Sequence, residues 1–405
     1  MLLSFRSFSQ NVSSPYSILG IGDIESDDYG RFAATGSAAV SRRAVGFYNF
    51  SNPASLTVMG YKSVNLDFAF RGRFSSFQTP GADTFTSVSK DFIIKRISLA
   101  LKTGKKNAIA FGLKPLSSVN YQYQTNSSIN DGDASYGKYT SGSGGIYESY
   151  FSFARQLSQS VSIGATASWL FGSLQREVNY YNPDYGLDIV RSENKFYYGA
   201  GLRFGIQYYS LPGKKWQHYI GATLAGTTNL NGQTTTTYTS SDSVIDKTVV
   251  NSAAFKMPIS FSAGYSISNR KGLSISSQFS FDKWPAQKLA YTNSFTTDAF
   301  GFKAGVEYSK THKLSQRDVE DYYVGIGGKF EQSYLQVNGQ KLNNYSIVVG
   351  GGKNMSRVLS LNGSIEVGRR GSTNLNQIRE NFTQFSLGIT LKDFWAGTKN
   401  FGRFN

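Results

Sequence analysis

The stretch MPISFSAGYSIS, residues 257–268, alternates apolar residues with small or polar ones at every second position. The apolar positions include Ile259, Phe261, Tyr265 and Ile267. A β-strand points successive side chains to opposite faces of its sheet. The stretch is therefore predicted to be a strand with one apolar face and one face of small or polar residues.

This period of two recurs from about residue 62 to residue 392. No window holds the roughly 18 consecutive apolar residues that a transmembrane helix needs, so a helical membrane protein is excluded. A membrane β-barrel remains, because its strands need only about 9 to 11 residues of alternating polarity. Fourteen strands are predicted, near residues 62–75, 93–103, 107–123, 144–156, 160–174, 194–209, 217–230, 255–268, 271–282, 298–309, 320–330, 343–352, 357–368 and 379–392.

The connections between these strands alternate in length. Short turns such as TGKKN (103–107) and SNRKG (268–272) alternate with long polar segments such as TNSSINDGDASYGKYTSGSG (125–144) and the Thr/Ser-rich residues 231–253. Outer-membrane barrels have short periplasmic turns and longer extracellular loops. With an even number of strands, both ends of the predicted barrel lie on the short-turn, periplasmic side.

Composition favours a membrane barrel over a soluble β-protein. Aromatic residues make up 15% of the 405 residues, glycine occurs 42 times, and charged residues are only 17%. A soluble barrel points its apolar face inward and presents ordinary Lys and Glu side chains to water. Here the second face is too rich in Ser, Gly and Thr for a solvated exterior. We therefore expect an all-β, 14-stranded antiparallel transmembrane barrel in the bacterial outer membrane.

Composition also argues against several function classes. The net charge is +16, but the basic residues form scattered pairs in turns rather than runs of about 5 to 8, so no nucleic-acid partner is expected. The absence of cysteine removes disulfides, Cys-ligated zinc and thiol nucleophiles. The two histidines, His218 and His312, both fall near predicted periplasmic turns. No catalytic residue and no cofactor is predicted, since phosphate-binding and dinucleotide-binding motifs are also absent.

Two acidic stretches contain the oxygen ligands that hard metal ions prefer. Asp131 and Asp133 lie in NDGDAS, but the later bidentate Glu of an EF-hand is missing, which favours an ordinary surface loop. The stretch GDIESDD, residues 22–28, is a denser acidic cluster that equally lacks a diagnostic spacing. No metal site is predicted from either stretch.

The first 60 residues lack the period of two. The stretch FAATGSAAVSRRAVGFYNFSNPASL (32–56) is rich in small residues and turn formers. A segment of roughly 45 residues is too small to bury a core of its own, so we predict that it folds in the barrel lumen as a hatch, or plug. The start, MLLSFRSFSQN, has the character of the tail of a signal peptide. The predicted regions are 1–9 as a signal-peptide remnant, 10–60 as the hatch and 61–405 as the barrel.

The stretch GFYNFSNPASL resembles the hatch of the FadL-type family of channels for long-chain fatty acids and aromatic hydrocarbons, which commonly carries an Asn-Pro-Ala-Gly-Leu motif. Asn52, Pro53 and Ala54 match this motif, and Ser55 stands where glycine is usual. The plan of a hatch followed by fourteen strands is also similar. Two further stretches resemble the Bacteroidetes branch of the family, MPISFSAGYS (257–266) and VGRRGSTNLNQIRENFTQFSLGITLKDFW (367–395).

The resemblance implies a pocket above the hatch and lateral exit of the ligand through an opening in the wall at a kinked third strand. Gly112 and Pro115 lie in the third predicted strand and are the lateral-gate candidates. The alternative for them is a β-bulge, or a proline at the rim of a strand. The ligand-binding or hatch candidates are the aromatics Phe47, Tyr48 and Phe50 and the turn-forming residues Asn52, Pro53 and Ala54.

The leading hypothesis for function is an outer-membrane channel for passive uptake of hydrophobic, fatty-acid-like small molecules, with lateral release through the wall. Its partners would be outer-membrane lipid and the hydrophobic ligand. The main alternative is a non-transporting subunit of a multi-protein outer-membrane complex, such as secretion or barrel-assembly machinery, which would have protein partners. An outer-membrane enzyme is a third, less well supported hypothesis.

Overall fold

A computed structural model describes residues 14–25, 27–44, 46–81, 87–129, 134–182, 187–211, 215–240, 243–269, 271–289, 294–314, 317–337 and 339–394. Most of these residues are in β-strands, with four short 3₁₀-helices at Pro15–Ile18, Ala33–Thr35, Pro53–Val58 and Thr373–Leu375. Among the described residues no helix has the length and apolarity to cross a membrane. The strands are β1 (Asp23–Ile24), β2 (Ser63–Gln78), β3 (Ser87–Leu101), β4 (Asn107–Ile129), β5 (Ala134–Gln156), β6 (Val161–Asn182), β7 (Leu187–Tyr209), β8 (Trp216–Ala225), β9 (Asn229–Ser240), β10 (Ser243–Lys256), β11 (Ile259–Asn269), β12 (Leu273–Lys283), β13 (Ser294–Thr296), β14 (Ala299–Leu314), β15 (Arg317–Val337), β16 (Gln340–Asn354), β17 (Leu359–Arg370) and β18 (Arg379–Phe394).

Fourteen of these strands form one closed antiparallel ring, which confirms the predicted strand number. The ring runs from β2 to β8, continues through β11, β12 and β14 to β18, and closes where β18 pairs with β2. That last pairing extends from Phe394 opposite Ser63 to Arg379 opposite Gln78. The connections β3–β4 and β11–β12 lie at the same end as the start of β2, here called the short-turn end. The opposite end carries β9 and β10 and is called the hairpin end.

The apolar face of the strands points outward, as the polarity pattern predicts. On β11, Phe261 and Tyr265 are both 42% exposed, whereas Ser266 is buried inside the barrel. The same outward apolar row recurs on β18, where Phe385 and Leu387 are exposed. A surface of this kind gains free energy when lipid chains replace water around it. The barrel is therefore built to span a bilayer.

One predicted loop is wrong, because the described residues of 231–253 are in a β-hairpin rather than an irregular loop. Strands β9 and β10 pair with each other. Strand β9 also pairs with the part of β7 at the hairpin end, between Ile189 and Tyr198. Consequently the predicted strand 217–230 ends at Ala225, and the predicted strand 255–268 begins at Ile259. The threonines that suggested a loop are β-branched, and β-branched side chains favour extended backbone.

Strands β4 to β7 also continue beyond their predicted ends, which raises the wall at the hairpin end. Strand β4 reaches Ile129 and β5 begins at Ala134, so most of the predicted loop 125–144 is paired strand. Asp131 and Asp133 lie outside the described residues, and so does the predicted signal-peptide remnant 1–9.

Residues 14–62 are here called the N-terminal segment, and most of its described residues are buried within the ring of strands. Residues 53–58 contact β4 to β7 on one side, and residues 33–35 contact β14 to β17 on the other. The segment approaches the wall so closely that side chains are excluded there: a Cβ atom at Gly305 would lie 2.6 Å from the Cα of Thr35. The small residues on the inner face thus leave room for this segment, which fills much of the lumen.

Candidate functional site

Strands β3 and β4 pair along only part of their described length, and the interval without pairing is here called the opening. Only Ile97–Leu101 of β3 pair with β4, opposite Leu113–Ile109. Strand β4 nevertheless continues to Ile129 and stays paired with β5 over its whole length. Residues 87–96 of β3 pair with β2 but have no pairing with β4 in the described part of the chain. A stretch of each strand therefore presents an edge that its neighbour in the ring does not cover.

Two β-bulges mark the point where the strands separate. On β3 the pairing with β2 shifts register around Lys95. On β4 the pairing with β5 shifts between Pro115 and Ser117, which leaves Leu116 as the extra residue. A bulge bends its strand and interrupts regular pairing, and proline removes a backbone donor. These local changes account for the strands diverging directly above the last pair, Ile97 and Leu113.

The N-terminal segment covers part of the freed edge of β4. Strand β1 pairs with it, with Asp23 opposite Ser118 and Ile24 opposite Ser117. The backbone N–H of Glu25 donates a hydrogen bond to the carbonyl of Leu116 at 2.9 Å. Gly22, with φ of +94°, is required here because a side chain would overlap the carbonyl of Ser118.

A cavity of about 420 Å³ lies in the lumen beside this opening. Pro115, Leu116 and Ser118 of β4 line it, so the cavity reaches the point at which the wall parts. Its surface combines apolar side chains, among them Leu170 and Met257, with a comparable number of basic and acidic groups. The charged lining residues are Asp23, Glu25, Asp27, Asp28, Arg71, Arg73, Lys95, Arg96, Lys114, Glu148, Arg203, Asp282, Lys303, Glu331, Glu366 and Arg370.

The acids of GDIESDD are bound by cations of the wall rather than arranged around a metal. Among the described residues no group of His, Cys, Asp and Glu is arranged to hold a metal ion. The partners of these acids are spread over five strands of the ring. The pairs are Asp23 with Arg370 (2.7 Å), Glu25 with Arg71 (3.1 Å) and Lys95 (2.5 Å), Asp27 with Lys303 (2.7 Å) and Lys329 (2.6 Å), and Asp28 with Arg96 (3.4 Å).

The Glu25 side chain is 7% exposed and remains ionised. Burial raises its pKa, but the attraction of Arg71 and Lys95 outweighs burial and lowers the pKa from 4.5 to about 2. The pKa of Asp27 is lowered as well, since Lys303 and Lys329 outweigh the effect of its burial. Removing one partner of such a buried pair typically costs about 3–5 kcal/mol.

A second ionic cluster fixes the middle of the N-terminal segment. Arg31 forms a bidentate pair with Glu307 of β14 at 2.7 and 2.9 Å and also binds Glu320 of β15. Arg42 binds the same Glu307 at 2.6 Å. The Arg31 guanidinium also lies 3.5 Å from the ring centroid of Tyr323. The bidentate geometry and the stacking restrict the position of this part of the segment.

Most of the predicted hatch residues support the segment rather than line the cavity. Asn52 is buried: its side chain accepts the Ala54 N–H at 3.0 Å and donates to the carbonyls of Val40 and Ile206, both at 3.0 Å. Pro53 and Ala54 begin the 3₁₀-helix Pro53–Val58 and are buried against β6. These residues are turn formers in the described fold.

Of the three predicted aromatic residues, two are packed in the interior of the fold and one lines the cavity. Phe47 is buried beneath the Lys392 ammonium, which lies 3.4 Å from its ring centroid. Tyr48 is buried with its hydroxyl near Ser152. Phe50 lines the cavity, where the Arg96 guanidinium lies 3.5 Å from its ring centroid. Phe50 is thus the one predicted hatch candidate that faces the cavity among the described residues.

Gly112 and Pro115 differ in their relation to the opening. Gly112 is paired with Ser98 just below it, and a Cβ atom there would lie 2.7 Å from the Tyr150 hydroxyl. Close packing therefore accounts for this glycine. Pro115 lies above the last β3–β4 pair and lines the cavity.

Both histidines lie at the short-turn end. His218 Nδ1 is hydrogen-bonded to the Tyr265 hydroxyl at 2.7 Å, and His312 Nδ1 contacts the Asp321 carboxylate at 2.5 Å.

The sequence analysis does not predict the basic residues that pair with the acids of GDIESDD. The signal was present, since Arg71, Lys303 and Lys329 stand at positions of the small, inward face of their strands.

Comparison with solved structures shows which fold this is. The Pseudomonas putida toluene transporter TodX superposes with a TM-score of 0.62 at 15% identity, covering 93% of this chain and 100% of that chain. A Pseudomonas aeruginosa FadL homologue gives 0.60 at 9% identity, with coverages of 93% and 100%. The monoaromatic hydrocarbon channel CymD gives 0.60 at 14% identity, with coverages of 92% and 98%. The resemblance to FadL-type channels is thus confirmed for the fold.

Sequence comparison identifies the family. No curated protein matches the chain. The family model that matches is that of BamG, and it covers residues 1–402, nearly the whole length. The chain therefore belongs to the BamG family and has the fourteen-stranded barrel fold of FadL-type channels.

Proposed function

We propose that this protein is an outer-membrane channel for the passive uptake of hydrophobic small molecules, with lateral release between β3 and β4. The observation that carries the proposal is the unpaired stretch of wall above Ile97 and Leu113, next to a cavity that Pro115 and Leu116 line. An apolar solute gains nothing by entering periplasmic water, whereas an opening in the wall delivers it to lipid. The N-terminal segment occupies the lumen, which favours exit through the wall over passage along the barrel axis.

The lining of the cavity points to an amphiphile within this class. Leu116, Leu170 and Met257 supply apolar contacts, while Arg203 and Lys114 lie among the charged lining residues. Arg203 forms no ion pair or hydrogen bond with the described residues, and it is only partly buried. A purely apolar solute would desolvate the Arg203 guanidinium and the Lys114–Glu148 ion pair without offering them a polar contact, which costs free energy. A fatty-acid-like molecule, with a chain and a charged head, satisfies both parts of the lining.

The proposal is tested by fixing β1 to β4 with a reversible disulfide. The chain lacks cysteine, so I24C/S117C introduces a single pair at facing positions. Uptake of a radiolabelled fatty acid would be measured in cells lacking their own transporter. We expect uptake to fall to background when the pair is oxidised and to return on reduction.

The matched control is S268C/S274C, which joins facing residues of β11 and β12 where the wall is continuous. Its oxidation should leave uptake unchanged. Equal uptake by the oxidised and reduced forms of I24C/S117C would exclude exit past β1.

A second candidate is a non-transporting subunit of a multi-protein outer-membrane complex. Two observations favour it: the matching family is BamG, and the N-terminal segment is held in the lumen by buried ion pairs on several strands. Purification in mild detergent separates the two candidates. Stoichiometric co-purifying proteins, together with background uptake in the reduced I24C/S117C protein, would favour the subunit.

A further inference from the structure

A groove of about 970 Å³ runs along the outer surface of the barrel near the hairpin end, on the side facing the bilayer. It crosses strands β3, β2, β18 and β17 and reaches β16 and β15. Two adjacent rows of outward-facing residues form its centre. In pairing order the rows are Lys90, Phe74, Thr383 and Val367, and Val88, Ser76, Asn381 and Arg369.

The groove lies where the outer surface changes from apolar to polar. On the short-turn side of the groove, the outward-facing residues of β18 are Phe385, Leu387 and Ile389. Inside the groove, the outward-facing residues of the same strand are Thr383 and Asn381. The neighbouring strands change at the same level, from Phe74 to Ser76 and from Val367 to Arg369. In a membrane barrel this boundary lies at the depth of the lipid headgroups.

The exposed charged residues that line the groove are basic. Lys90 and Arg369 are exposed, and no Asp or Glu lines the groove among the described residues. Three strand spacings and an offset of two residues along the strand separate them, which places their backbones roughly 16 Å apart. Both side chains are long enough to reach toward the small polar residues between them, Ser76 and Asn381. A negatively charged group there would be approached by a cation from either side.

The floor next to these cations suits hydrocarbon chains. Phe74 is 48% exposed, Val367 58% and Ile347 64%, and all three line the groove. Small residues between them, including Gly328 and Thr383, make the depression. Apolar walls below and two exposed cations above match a molecule with acyl chains and an anionic head.

We propose that this groove binds a lipid that carries a phosphate group, with the phosphate between Lys90 and Arg369 and its acyl chains against Phe74, Val367 and Ile347. Charge complementarity selects an anionic lipid over a zwitterionic one. The unpaired part of β3 begins at the edge of this groove, since Lys90 is one of the residues that have no partner on β4. The bound lipid would therefore stand beside the opening in the wall.

The test measures lipid retention by native mass spectrometry. Purified protein is incubated with equal amounts of dioleoylphosphatidylglycerol and dioleoylphosphatidylcholine and then washed with detergent. We expect the wild type to retain phosphatidylglycerol preferentially and K90Q/R369Q to lose that preference about tenfold or more, since each cation near a membrane surface adds about one kcal/mol. The control K353Q/R357Q removes one exposed Lys and one exposed Arg at the short-turn end and should behave as the wild type.

Correct folding of each variant is verified by heat-modifiable migration in gel electrophoresis. Equal retention of the two lipids by the wild type would overturn the proposal, as would unchanged retention in K90Q/R369Q. Displacement of the lipid by inorganic phosphate would show that the site recognises free phosphate instead. A protein that co-purifies with the wild type and is absent from K90Q/R369Q, with lipid retention unchanged, would assign the groove to a protein partner.

Discussion

Glu25 connects the N-terminal segment to both strands of the opening. Its backbone N–H binds Leu116 on β4, and its carboxylate binds Lys95, the bulged residue of β3. Arg71 and the hydroxyls of Tyr29 and Ser118 also contact the carboxylate. One side chain thus holds the position of β1 relative to two strands that do not pair with each other at this level.

Replacing Glu25 with glutamine should loosen this position. The variant leaves Lys95 and Arg71 buried without that carboxylate, which costs about 3–5 kcal/mol for a buried pair. We expect faster amide hydrogen exchange at residues 22–25 and little change in the strands on the far side of the ring. Asp246→Asn, on the exposed hairpin strand β10, is the control. Unchanged exchange at residues 22–25 would contradict the role given to Glu25.

The same residue predicts a pH dependence. Its folded-state pKa of about 2 lies below the ordinary value of 4.5, so its contribution to docking is complete above pH 4.5 and is lost as the pH falls toward 2. We expect the difference in exchange between wild type and Glu25→Gln to be constant near neutral pH and to shrink below pH 4.5. Comparing the two proteins at each pH cancels the intrinsic exchange rate. A difference that persisted unchanged to pH 2 would place the origin of the effect elsewhere.

At the scale of elements, the 3₁₀-helix Pro53–Val58 docks on strands that have glycine where it touches them. A Cβ atom at Gly164 of β6 would lie 2.6 Å from the carbonyl carbon of Pro53 and 2.7 Å from the Ala54 nitrogen. Both atoms are backbone, so they cannot move aside as a flexible side chain would. The element and its docking surface are therefore matched by shape.

Gly164→Ala should displace this helix from the wall. Overpacking a tight contact typically costs about 1–3 kcal/mol, and we expect increased amide hydrogen exchange at residues 54–59. Gly226→Ala is the matched control, because a Cβ atom at Gly226 meets nothing within 4 Å. If both variants exchange as the wild type does, the contact is looser than the distances indicate.

The sequence predicts the strands well and their pairing less well. The period of two locates all fourteen ring strands, and Pro115 stands out as a defect in the third of them. Nothing in the alternation shows that β3 pairs with β4 over only five residues, because that register depends on bulges at Lys95 and Leu116. Bulges alter pairing without altering the polarity pattern that reveals a strand.

The contacts of individual side chains in the N-terminal segment are harder to predict from the sequence. Its small residues predicted a lumenal position, but the distinction between Phe50, which faces the cavity, and Phe47, which is packed under Lys392, depends on contacts with distant strands. The Asn-Pro-Ala turn was predictable, since asparagine before proline caps a helical turn. The ion pairs of GDIESDD were not, because their cations are spread over β2, β3, β14, β15 and β17.

On the scale of the whole molecule, ring closure does not depend on the β9–β10 hairpin. Strand β8 pairs directly with β11, with Ala225 opposite Ser260, and the hairpin extends above this junction against β7. The hairpin adds height to the wall without taking part in closing it.

A variant in which a short glycine-containing turn replaces residues 229–256 should still form the barrel. We expect it to show the same heat-modifiable migration as the wild type, because every pair of the ring is retained. Deleting β12 instead removes a ring strand and serves as the negative control. Migration of the hairpin variant as an unfolded chain would show that the hairpin is needed for assembly.

The ion pairs of the N-terminal segment also set an order of events during biogenesis. The segment is synthesised first, yet its partners Glu307, Lys329 and Arg370 belong to strands near the end of the chain. Until those strands are in place, Asp23, Asp27 and Arg31 lack the counter-charges that they have in the finished barrel and remain hydrated. The segment therefore reaches its final position only after the last strands have been added, and its docking marks the completion of the barrel.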